Sequence, residues 1–138
     1  MTLVADRLAR QRFLERSAVW VPPGWPTEVR PPDSPDWEAT AVAFLLDCCP
    51  SEYRSYLVLR KHPVVLARFA AEFVGSQVRT SQTALAEARA SLDDFVAPEV
   101  VQAAVEAWAA ESERLVRRRR EVALVEEALR GKVFIRRL

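Results

Sequence analysis

Between Pro98 and Gly131 the chain runs for 32 residues without a glycine or a proline. A stretch of that length, rich in Ala, Glu, Arg, Val and Leu, leaves little room for anything but one long helix, because the two residues that break helices are absent. Its apolar positions agree: Val101, Val105, Trp108, Leu115, Val122 and Leu129 recur at steps that hold one stripe. Pro98 suits the first turn, where its missing N–H has no partner to lose, and Gly131 suits the left-handed cap. At about 1.5 Å of rise per residue the helix is about 48 Å long.

A second long pattern precedes it. From Pro63 to about residue 93, a stripe passes from Leu66, Phe69 and Phe73 to Thr80, Ala84, Ala88 and Leu92. The join, SLDDFVAPE, is short enough to return the chain antiparallel to itself. The sequence therefore predicts an all-α fold built on an antiparallel hairpin, about 63–93 and 98–130. Helices this long exceed the width of a domain of 138 residues. The short pieces at the N-terminal side cannot cover them, so part of the apolar stripe needs another partner, and a second copy is the commonest one.

Those pieces fall into zones. Residues 3–16 read as a short amphipathic helix with Leu3, Val4, Leu8, Phe13 and Leu14 on one face. Residues 17–35 are rich in proline and tryptophan. VPPGWPTEVRPPDSPDW holds six of the nine prolines and two of the four tryptophans. Pro-x-x-Pro spacing fits a displayed polyproline ligand, but exposed tryptophans are costly and each can anchor an extended chain on a helical surface. A strap laid over the chain's own hairpin is the better reading. Ser34-Pro35 reads as a helix start, serine capping and proline at the first position, and TAVAFLLDCC as a helix buried nearly all round. Near the end, KVFIRRL alternates as a short strand would, with SAVWV (17–21) or YLVLR (56–60) as its only mates. The whole, 1–138, reads as one domain, with the helical body from 35 onward.

Half the residues are apolar, 28% are charged and the net charge is +1, so no overall charge draws the chain to nucleic acid or anionic lipid. The opening residues carry charges every few positions, unlike a secretory signal, and no apolar run is long enough to span a bilayer. A cytoplasmic location with reduced thiols is expected, and no membrane partner.

Candidate chemistry is sparse. One histidine, His62, rules out the paired Glu-x-x-His sites of di-iron bundles. The adjacent Cys48 and Cys49 lack the spacing that brings two thiolates to one zinc and read as buried structural cysteines. With three glycines there is no phosphate-cradling loop. No catalytic residue, cofactor or metal is expected. The arginine run, Arg114 and Arg117, Arg118, Arg119, Arg120, with Arg136 and Arg137 beyond it, is the one charged cluster that suggests a partner: nucleic acid through phosphate contacts, or an acidic protein. Four consecutive arginines fan around a helix, however. Glu113 and Glu121 stand four residues from Arg117, within reach of surface ion pairs, and Arg118 or Arg119 falls near the apolar seam.

The blocks PPGWP, LRKHPVVLARFA and EEALRG, spread over most of the chain from Val21 onward, resemble a set of short uncharacterised proteins of high-GC, actinobacterial-type bacteria. The resemblance implies a shared fold and carries no activity with it. The expected function is non-enzymatic: an interaction or scaffolding protein, most simply a homodimer joined through Phe69, Phe73, Trp108 and Leu115. Nucleic-acid binding through the arginine run is the alternative.

Overall fold

A computed structural model describes residues 20–137. It contains α1 (Trp37–Asp47), a single 3-10 turn (Ser51–Ser55), α2 (Leu57–Lys61), α3 (Pro63–Leu92) and α4 (Pro98–Leu129). The two long helices match their expected limits to within a residue and pack against each other along their length. Pro63 and Pro98 each stand in the first turn of their helix. Gly131 takes φ +98 past the end of α4. Its N–H bonds the Ala128 carbonyl and that of Lys132 the Glu127 carbonyl, the paired closure of a Schellman cap.

The faces differ in part from the stripe expected on α3. The buried positions there are Leu66, Ala67, Ala70, Val74, Val78 and Ala88, with Gly75 and Ser81. Phe69 and Thr80 are exposed and Phe73 is half-buried. Short side chains take the seam against α4, and the phenylalanines turn sideways onto the 3-10 turn, where Tyr53 meets both rings at 5.8 and 6.3 Å. On α4 the expected Val101, Leu115 and Val122 are buried, and Val105, Trp108 and Leu129 are half-buried. Ser81 and Ser112 meet across the seam at 2.8 Å, and Arg89 donates to Gln102 nearer the turn. These pairs fix the register of the hairpin.

The main core lies at one end. Phe44, Leu45 and Leu46 of α1 and Leu59 of α2 pack on α3 and α4, whose buried members in this cluster end at Val74 and begin at Val122. Residues 20–35 lie over this end in three turns. In the first, Trp25 N–H bonds the Pro22 carbonyl with Gly24 at φ +94, as a type II turn requires. Trp25 Nε1 donates to the Val29 carbonyl, Val29 enters the core, and the Arg30 N–H donates to Thr40 Oγ1 on α1. Pro26 and Pro32 are buried as well. The expected helix 3–16 lies outside the described residues, as do residues 17–19 of the expected strap.

Two local expectations are corrected. Ser34 does not cap α1: its hydroxyl donates to the Pro31 carbonyl, and the helix opens at Trp37 behind Asp36 in the left-handed region. No strand forms among the described residues. One proposed mate of KVFIRRL, around 57–61, is α2, and the segment 132–137 runs irregularly with Phe134 tucked against Trp25, ring centroids 5.9 Å apart.

Candidate interaction surfaces

The distance between the core and the hairpin turn shapes everything exposed on this molecule. From Val74 to Leu92 is 18 residues, about 27 Å of helix, and along it none of the members of the main core appears. Among the described residues, α3 and α4 form a layer one helix pair thick here. An open groove of about 490 Å3 runs along it, with Leu85, Ala109 and Val116 on its walls and Glu113 and Arg117 at its rim.

Exposed large apolar residues gather at the two ends of the hairpin. At the base, Tyr56, Leu57, Val58, Val65 and Phe69 are all at least a third exposed. Of these, Tyr56 and Phe69 meet the Tyr53 ring, at 6.2 and 5.8 Å between centroids. At the tip, Phe95 is 83% exposed, with Val96 and Val100 beside it. Phe95 is held in place: its N–H bonds the Leu92 carbonyl, as does that of Val96. A third exposed pair, Val133 and Ile135, lies on the irregular segment after α4.

The four residues expected at a seam between copies do not form one surface. Leu115 is 7% exposed, spent on the hairpin's own interior. Phe69 and Phe73 belong to the base, and Trp108, half-buried, lies on the outer half of α4. Phe95 was not legible as a surface residue of note, because a lone aromatic in a short turn has no period to read. Its flanking run of acids, Asp93, Asp94 and Glu99, was the available signal.

The arginine run splits by position. Arg114 grips Glu111 through Nε and Nη2 at 2.9 and 2.5 Å, which holds the Glu111 carboxyl below its ordinary range. Arg118 is the one turned inward. Its guanidinium lies 5.2 Å from the centre of the Phe44 ring, and it reaches Glu121 of its own helix at 3.9 Å rather than an acid across the seam. Arg117, Arg119 and Arg120 make no ion pair among the described residues, so the expected pairing of Arg117 with Glu113 or Glu121 does not occur. Arg117 and Arg120 instead border a hollow with Gly24, Trp25 and Thr27 of the strap and with Glu121, whose carboxyl is pushed up by burial. Arg136 and Arg137 are exposed on the final segment.

Cys48 and Cys49 are free and half-buried. Burial pushes the Cys48 thiol up to about 12 against the opposing pull of Arg118, and Cys49 up to about 11. Both therefore stay protonated at neutral pH, poor nucleophiles and poor metal ligands in that state. His62 is exposed at the start of α3 and its side chain makes no capping bond. Among the described residues no three of His, Cys, Asp and Glu converge on a metal position, and no helix is long and apolar enough to cross a membrane. No family model, curated protein or solved structure matches the chain. The class defined on physical grounds is an α-helical hairpin braced at one end and, among the described residues, uncovered at the other.

Proposed function

We propose that this chain is a non-catalytic interaction or scaffolding protein that works as a homodimer, joined through its hairpin. The observation that carries the reading is the outer half of α3 and α4, which no other described residues cover. Among the described residues the two helices there pack only on each other, and their remaining faces include a groove walled by Leu85, Ala109 and Val116. A second hairpin laid against them makes a four-helix layer, the usual way such faces are buried. Sedimentation equilibrium at micromolar concentration is the test. A mass near twice 15.6 kDa supports the reading, and a stable monomer overturns it.

One observation favours a second reading. The strap brings Trp25 beside Arg117 and Arg120, so the arginine run has an aromatic neighbour that is distant in sequence. Cationic side chains beside an aromatic ring suit single-stranded nucleic acid. A mobility-shift assay at low and high salt decides it, since phosphate contacts are strongest at low salt. Absence of a shift at low salt removes this reading.

A further inference from the structure

The two ends of the hairpin are opposite in charge as well as apolar. Residues 53–71, which carry the apolar patch at the base, contain Arg54, Arg60, Lys61 and Arg68 and no acid, with Glu52 and Glu72 at their two ends. Residues 87–106, which form the tip, contain five acids and one arginine. Some of these charges are already engaged: Arg54 holds Asp47, and Arg68 holds Glu72 and Glu126. Arg60 and Lys61 at the base, and Asp93, Asp94 and Glu99 at the tip, make no ion pair among the described residues. Each end also presents aromatic surface, Tyr56 and Phe69 on one and Phe95 on the other.

The two ends cannot meet within one chain. Thirty residues of continuous α3 hold them about 45 Å apart. Two chains can satisfy both. With a second hairpin alongside and antiparallel, each acidic tip reaches the other's basic base, and one two-fold axis generates both contacts. The arrangement closes on itself, so it yields a dimer and no filament. Complementary charge at both ends also selects the antiparallel orientation, because a parallel pair would bring tip to tip and base to base.

We infer that the occupant of the aromatic, basic patch at the hairpin base is the acidic tip of a second copy, with Phe95 packed among Tyr56, Leu57, Val58 and Phe69. This rests on the self-association proposed above and adds its orientation and contact residues. Phe95 is the anchor, since it brings the largest apolar surface to the tip and loses nothing inside its own chain by doing so. Asp93 and Asp94 face Arg60 and Lys61 around it.

The test uses sedimentation equilibrium on full-length chains, with circular dichroism to confirm unchanged helix content. Phe95→Asp is expected to weaken dimerisation at least ~30-fold, the scale of an interface anchor, without altering the fold of the monomer. Two charge-reversed variants supply the second measurement: D93K/D94K at the tip and R60E/K61E at the base. Each alone should be monomeric, since like charges then meet at both contacts. Mixed one to one, they should recover the dimer mass, because both contacts are again opposite in charge. Wild-type dimers that survive all three variants would overturn the tip-to-base contact while leaving self-association standing. A monomeric wild type would overturn both.

Discussion

Replacing Ser81 and Ser112 by alanine, singly and together, probes the outer hairpin where no third helix among the described residues supports it. Ser81 Oγ donates to the Val78 carbonyl at 2.9 Å, and a hydroxyl has one proton. Ser112 must then be the donor in the 2.8 Å contact that crosses the seam. Ser112→Ala removes that bond and leaves Ser81 satisfied. The loss is about 1 kcal/mol, offset by about 0.5 kcal/mol from alanine's better helix propensity. Ser81→Ala removes the same bond and also strands the Ser112 hydroxyl. Ser112 borders the open groove, so water can reach it and the penalty stays low, a net cost of about 1 kcal/mol. In the double variant the bond is lost once and the propensity gained twice, for a net change near zero. The cycle should therefore close with a coupling of about 1.5 kcal/mol, and the double variant should be at least as stable as Ser81→Ala. Urea denaturation at one fixed protein concentration is the assay, because association makes apparent stability concentration-dependent. Additive effects, with coupling below about 0.3 kcal/mol, would mean the two serines are not paired and the register of the hairpin is wrong.

Other outcomes follow from the same structure. Gly75 is buried in mid-helix, yet a Cβ there would meet only the Arg79 guanidinium at 3.6 Å, an ordinary contact. Gly75→Ala should stabilise the protein by about 0.5–1 kcal/mol and raise Tm by about 3 °C in calorimetry; a fall in Tm would show that the site has no room for a methyl group. With its thiol raised from 9.0 to about 12, Cys48 should react with a maleimide at pH 8 about a thousandfold more slowly than free cysteine, until the chain is unfolded. The sign of the pH effect follows: folding favours the protonated thiol, so this stabilisation is complete below pH 9 and is lost as pH climbs from 9 toward 12. Cys48→Ala should flatten that part of a stability profile; an unchanged slope would place the thiol in water. Trp25→Ala should loosen the strap, losing the Val29 hydrogen bond and the edge contact with Phe134, and speed cleavage after Glu28 by a glutamate-specific protease; cleavage at the wild-type rate would argue against the strap.

The limits of the hairpin were legible because punctuation is strong there. Pro63, Pro98 and Gly131 each mark an end, and nothing in 99–130 interrupts. The inward face of α3 was not, since its apolar residues populate more than one stripe. Size suggested Phe69 and Phe73 for the seam, whereas the buried positions include the small Ala67 and Ala70. Which arginines pair depends on rotamers and on a strap distant in sequence, and spacing alone cannot supply either. The alternation in KVFIRRL is a strand signal only where a mate exists, and α2 had already claimed one of the two candidates. As for the exposed surfaces, the basic base and the acidic tip were present in the composition of 53–71 and 87–106, but only the length of α3 shows that they cannot meet in one chain.

Self-association through antiparallel hairpins is tested most directly by the distance between the two tips. With Cys48 and Cys49 replaced by alanine and Ala90→Cys spin-labelled, pulsed electron resonance reads that distance in the assembled protein. Ala90 is exposed near the tip, and in an antiparallel dimer each label lies level with the other chain's base. The expected separation is about 40 Å, the rise from Ala90 back to Pro63. Labels within about 20 Å, two helix diameters, would place the tips together, and the absence of any intermolecular coupling would remove the dimer itself.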